Sequence, residues 1–166
     1  MNYIKITKND IANGPGVRCV LWVAGCKVHC DGCHNKQTWD FNTGKLFDEN
    51  AKNELFEALN QPYIKGITFS GGNPMDQPYE IFLLAKEIKE KFPNKDIWLY
   101  SGYTYEQICQ VGERLKVLFY VDVLVDGPYI KEQRDLTLTF RGSSNQRLID
   151  VKETLKQSKI ITLQNN

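Results

Sequence analysis

Three cysteines, Cys26, Cys30 and Cys33, fall in the run CKVHCDGC at the spacing C-x3-C-x2-C. Thiolates this close in sequence belong either to a metal or cluster site or to a disulfide-rich motif. The chain has five cysteines, an odd number, and in a reducing compartment that pattern favours ligation over disulfides. Two ligand chemistries stay open at this point. His29 or His34 could complete a Cys3His zinc set. Alternatively, three thiolates hold a four-iron cluster and leave one iron open, and an open position is what chemistry at a metal requires. Cys19 and Cys109 fall inside a predicted strand and a predicted helix, where cysteine behaves as a small buried apolar residue.

Composition sets the surroundings of these thiols. The 166 residues are 42% hydrophobic, enough for one ordinary domain with its own core, and a single domain over residues 1–166 is expected. Lys and Arg total 21 against 20 Asp and Glu, a net charge of +1. That balance points away from nucleic acid and from anionic membranes as partners. Met1 to Asp10 is too polar for a signal peptide, and the apolar run around Cys19 to Cys26 is far short of a membrane span. A cytoplasmic protein with reduced thiols is the expectation.

The thiols need elements to position them. Residues 1 to 17 read as a lead-in ending in the turn Asn13-Gly14-Pro15-Gly16. Arg18 to Val23 (RCVLWV) reads as a buried strand, which puts the cysteines on the loop leaving its C-terminal end. Thr38 to Gly44 reads as loop, and Asp48 as the cap of a helix reaching about Asn60. Gly66 to Ser70 (GITFS) is a second strand, ended by Gly71-Gly72-Asn73-Pro74. Pro78 suits the first turn of a helix carrying Ile81, Leu84, Ala85, Ile88 and Phe92 on one side. Ile97 to Tyr100 is a third strand and Tyr120 to Val125 a fourth, with short helices between them from Thr104 to Val111 and near Glu113 to Leu118. Leu136 to Phe140 reads as extended, Asp150 to Gln157 as a helix start, and Ile160 to Leu163 as a last short strand.

Apolar strands alternating with amphipathic helices predict an α/β fold with a mostly parallel sheet and the helices packed outside it. A closed eightfold barrel needs roughly 250 residues, so an incomplete, open βα barrel or an open sheet is expected. In such folds the site lies at the C-terminal ends of the strands. Four of those ends carry small or polar residues: the cysteine loop, Ser70 to Pro74, Ser101-Gly102 and Asp126-Gly127-Pro128. They are predicted to converge on one rim.

The C-x3-C-x2-C loop directly after the first strand resembles the radical S-adenosylmethionine (SAM) enzymes, and GGNP is similar to their glycine-rich motif. The resemblance narrows with NGPGVR, CHNKQTWD, YSGYTYE, and VDVLVDGPY followed by RGSSNQRLID. Together these resemble the activating enzymes of anaerobic (class III) ribonucleotide reductase over most of the chain. The resemblance implies an open barrel of the radical SAM type. It implies that Cys26, Cys30 and Cys33 ligate three irons of a [4Fe-4S] cluster and that SAM chelates the fourth. Backbone groups of Gly71, Gly72 and Asn73 would meet the SAM ammonium, Ser101 and Asp126 would be further polar contacts, and Gly32 and His34, flanking Cys33, would lie beside the adenine. Two positions depart from the pattern. Gly32 stands where relatives often carry an aromatic residue, which transfers adenine packing to His34 or Trp39. Asn73 stands where an acid is frequent, so a backbone contact survives there and a carboxylate contact does not.

The implied reaction delivers one electron to the cluster and on to SAM. The resulting 5′-deoxyadenosyl radical then takes a hydrogen atom from a glycine of the reductase's catalytic subunit. A flavodoxin- or ferredoxin-like protein would supply the electron. The cofactors carry the chemistry, and no residue is predicted as a general base. Arg134, Arg141 and Arg147 are candidates for the SAM carboxylate or the partner, against the ordinary reading of solvated arginines. Two other functions remain beside this one: activation of a different glycyl-radical enzyme of the pyruvate formate-lyase type, and a zinc- or cluster-binding interaction module without turnover.

Overall fold

The computed structural model describes residues 1–163. Seven strands form one mixed sheet: β1 (Asn2–Asp10), β2 (Arg18–Val23), β3 (Lys45–Leu46), β4 (Gly66–Gly71), β5 (Asp96–Tyr100), β6 (Val123–Asp126) and β7 (Arg147–Asp150). Their order is β3-β1-β2-β4-β5-β6-β7. The central β2, β4, β5 and β6 are parallel, while β1 and β3 on one side and β7 on the other run antiparallel to their neighbours. The outermost strands β3 and β7 do not pair with each other, so the sheet is not closed.

Among the described residues, five α-helices connect and flank the strands: α1 (Glu49–Leu59), α2 (Pro78–Lys91), α3 (Tyr105–Cys109), α4 (Gly112–Leu118) and α5 (Val151–Gln157). Their starts follow local chemistry. Asp48 accepts from the Ala51 N–H at the head of α1, Pro78 opens α2, and Thr104 and Gln107 form a reciprocal capping box at α3. Each helix contributes to one large apolar cluster with alternate strand residues such as Leu21, Phe69, Leu99 and Leu124. The opposite sheet face carries the other set: Trp98, Val123, Val125 and Leu148 form a smaller cluster, with Phe140 and Tyr100 against it. The helices therefore cover one face of the sheet and leave the other facing a cavity. No helix among the described residues is long and apolar enough to cross a membrane.

Three local expectations are corrected. The lead-in contains a nine-residue strand, β1, paired antiparallel with β2. Its burial is intermediate along most of its length, so its sequence lacks the apolar run that marks the central strands. Leu136 to Phe140 forms turns, and Phe140 has φ 61°, which a strand does not admit. Ile160 to Leu163 reduces to a single antiparallel bridge between Ile149 and Thr162.

The NGPGVR segment is absorbed by packing. Arg18 is fully buried at the start of β2. Its guanidinium donates to Thr68 Oγ1 at 2.9 Å, to the Pro15 and Ile67 carbonyls, and to Asp96. Thr68 in turn donates to the Asn13 carbonyl at 2.7 Å. A buried charge needs such complete pairing, and here it staples the Asn13–Gly16 turn under the open face.

Candidate active site

The open face and the C-terminal ends of the parallel strands enclose a cavity of about 500 Å³. Cys26, Cys30, Cys33, His34, Gly71, Gly72, Asn73 and Ser101 all line it, so predicted residues from three separate segments converge. Gly32 and Asp126 do not line it. Gly32 has φ 75°, which glycine adopts without strain, and the Lys131 side chain lies 3.3 Å from where a Cβ would stand. An aromatic side chain at that position would meet both obstacles.

The cysteine loop is fastened on two sides. On one, Gly25 N–H donates to the Thr38 carbonyl at 2.7 Å and Cys26 N–H to the Trp39 carbonyl at 3.1 Å. On the other, Gly72 N–H donates to Val23 O and Asn73 N–H to Gly25 O, both at 2.8 Å. A Cβ on Gly72 would stand 2.3 Å from Gly25 O. The glycine is therefore required by the close approach of the two strand exits. These two N–H groups are committed to the exit of β2, and the Asn73 carbonyl accepts from Asp76 N–H at 2.9 Å.

All three loop cysteines are free and partly buried. Burial, above all, pushes the thiols of Cys26 and Cys30 up. Metal or cluster binding must displace those protons. Among the described residues, no three His, Cys, Asp or Glu side chains are grouped as they are around a single metal ion. The cavity wall also holds Trp39, whose ring stacks on His29 at 4.2 Å with planes 9° apart. Its indole N–H is buried without a hydrogen-bond partner. An orphaned donor of this kind costs free energy. The donor set, three soft thiols at one end of a roomy cavity, fits an iron–sulfur cluster.

Ser101 and Asn73 are bound to each other. Ser101 Oγ donates to Asn73 Oδ1 at 3.0 Å and accepts from Tyr103 N–H at 3.1 Å. Asp126 is buried and turned away from the cavity. It accepts from Arg147 Nε at 3.0 Å, from Arg147 Nη2 at 2.5 Å and from Tyr105 N–H at 2.7 Å. Arg147, a candidate for a ligand or partner, is thus an internal tie that also reaches Glu106. Gln146 organises the preceding loop, its side chain joining Gly127 O with the N–H groups of Gly142 and Ser143. Cys19 is fully buried and Cys109 packs against the core, as the apolar reading requires.

A family model described as a 4Fe-4S single cluster domain matches residues 12–149. Among curated proteins, the anaerobic ribonucleoside-triphosphate reductase-activating protein of Enterobacteria phage T4 is 46% identical over 150 residues, covering 89% of this chain and 93% of the relative. Proteins of the same name from Haemophilus influenzae and Escherichia coli K12 are each 39% identical, covering 88% of this chain and 96% of theirs. The chain belongs to this family of reductase-activating proteins. Cys26, Cys30 and Cys33 lie inside the span of the cluster-domain match, as do the glycine turn, Ser101 and Asp126. The family match and the thiol-lined cavity agree on a [4Fe-4S] cluster as the resident metal group.

Two features of the site were not anticipated from sequence. One is the orphaned Trp39 indole. The other is Asp76, whose side chain is fully buried behind the cysteine loop. An acid two residues after a GGNP turn carries no local signal of burial.

Proposed function

We propose that the chain is the radical SAM activase of an anaerobic ribonucleotide reductase, an oxidoreductase that creates a glycyl radical on the reductase's catalytic subunit. The observation that carries this reading is the shared cavity: three thiols on the exit of β2 face the glycine turn on the exit of β4. In this reading the open sheet, with its helices on one face, would be an incomplete barrel of the radical SAM type.

In this reading Cys26, Cys30 and Cys33 would hold the cluster, with SAM bound beside it. When bound, the cluster and SAM supply one electron and the hydrogen-abstracting radical. The protein's own residues bind, orient and shield. The Gly71 and Gly72 carbonyls would receive the SAM ammonium, since the Gly72 and Asn73 N–H groups and the Asn73 carbonyl are already committed. His34 and Trp39 line the cavity where the adenine would pack. Ser101 holds Asn73 in place, and Asp126 acts at one remove by fixing the N-terminus of α3. The uncovered sheet face gives a backbone loop of the reductase a way to bring its glycine to the radical. A flavodoxin- or ferredoxin-like protein delivers the electron.

The test is EPR. Anaerobically reconstituted protein, the reductase subunit, SAM and a reductant should give a glycyl radical signal. Cys26→Ala, Cys30→Ala and Cys33→Ala should each abolish it and lower iron content, while Cys19→Ala and Cys109→Ala should not. A radical that survives any of the first three substitutions refutes the ligand assignment.

A further inference from the structure

Asp76 carries a fully buried carboxylate that reaches the cysteine loop, and the reading above leaves it without a task. It sits in the short turn Pro74–Asp76 after the glycine motif, with its side chain 0% exposed. Asp76 Oδ2 accepts from the backbone N–H of Lys27 at 2.8 Å, one residue beyond Cys26, and from Asn73 Nδ2 at 3.2 Å. Asp76 Oδ1 accepts from the Tyr103 hydroxyl at 2.6 Å and from Arg114 Nη2 at 3.4 Å. Arg114 lies over the Tyr103 ring at 3.9 Å and donates to the Met75 carbonyl. One side chain therefore joins the cysteine loop, the glycine turn, the segment after β5 and α4.

We propose that Asp76 is the positioning residue of the cluster loop, clamping Cys26 against the glycine turn and setting the local charge beside the cluster, with Arg114 as its counterweight. The inference rests on the cluster reading above. A buried charge acts in a low dielectric, where it is felt more strongly than at the surface. The net charge and hydrogen bonding around a cluster set its reduction potential. The carboxylate meets the loop at 2.8 Å, whereas Arg114 stands behind the carboxylate at 3.4 Å, so the negative end is the nearer one. Burial, first, and the Asp76 hydrogen bond push the Tyr103 hydroxyl up to about 12. Tyr103 therefore remains a donor to Asp76 throughout the working range.

The experiment uses the reconstituted holoprotein and two substitutions of opposite charge effect, Asp76→Asn and Arg114→Gln. EPR-monitored redox titration reads the midpoint potential in each. Asp76→Asn should raise it and Arg114→Gln should lower it. An expected shift of about tenfold in the reduction equilibrium corresponds to about 59 mV for a one-electron couple. Mere loosening of the fold would move both variants the same way, so equal or parallel shifts overturn the charge role. Amide exchange in residues 26–33 reads the clamp separately. Asp76→Ala should expose the Lys27 amide to exchange at least tenfold faster, while Asp76→Glu should recover part of the protection. Unchanged protection in Asp76→Ala overturns the clamp. Wild-type protein that takes up no cluster at all would refute the proposed function and leave the amide-exchange result to decide the clamp on its own.

Discussion

Replacing Gly72 by alanine tests how closely the cysteine loop and the glycine turn are joined. The new Cβ would lie 2.3 Å from Gly25 O and 2.8 Å from its carbonyl carbon. Both are backbone atoms, so no side chain can swing aside. Relief requires the exits of β2 and β4 to separate, which stretches the Gly72 N–H to Val23 O and Asn73 N–H to Gly25 O bonds. Overpacking of this kind together with partial loss of two hydrogen bonds costs about 3 kcal/mol. For a domain of this size that lowers the melting temperature by about 6–12 °C. Gly112→Ala is the matched control, because a Cβ there has nothing within 4 Å. At the first position of α4 it should be neutral or stabilise by up to about 1 kcal/mol. Calorimetry on both variants, with iron content after reconstitution, checks the argument. Gly72→Ala should melt well below the parent and load less iron. A Gly72→Ala protein that melts within about a degree of the parent with full iron content would refute the close approach.

Two further outcomes follow from the charges around Asp126. Arg147→Met leaves the buried Asp126 carboxylate without its guanidinium and should destabilise by about 3 kcal/mol in denaturant unfolding, while Asp126→Asn combined with Arg147→Met should recover most of that loss. Arg147 also holds the Glu106 carboxyl down to about 2 from an ordinary value of 4.5. Burial alone would raise Asp122, but hydrogen bonds from Lys152, Lys89 and Ile97 N–H outweigh it and lower it. A carboxylate depressed in the folded state contributes stability that is complete above its unfolded value and is lost as pH falls through the folded value. Stability should therefore drop between about pH 5 and pH 2. Glu106→Gln should shrink that drop by less than about 1 kcal/mol, since Glu106 is half exposed. A pH series of urea midpoints that is identical in parent and Glu106→Gln would refute the contribution.

The candidate site residues could be read along the chain because each motif is local. Cys26, Cys30 and Cys33 lie within one loop, the glycines of GGNP within one turn, and the strands around them are continuous apolar runs whose ends follow from the run itself. The helix starts at Asp48 and Thr104 were equally local, each set by a cap contacting its own first turn. β1 was missed for the converse reason. It has no continuous apolar run, ends in the four polar residues Thr7 to Asp10 and is only partly buried, so its pairing with β2 is what makes it a strand.

The sequence by itself thus marked the cysteine loop, the glycine turn and the four central parallel strands with their helices, because hydrophobic period, caps and motif spacing act over a few residues. Tertiary structure decided which of the predicted polar groups face the cavity and which turn inward. Asp126 was expected at the ligand but pairs with Arg147, 21 positions away. Asp76 had no predicted role, yet it gathers Lys27, Tyr103 and Arg114 from 49, 27 and 38 positions away. A buried charge is defined by the partners that surround it, and those partners come together only when the sheet and helices pack.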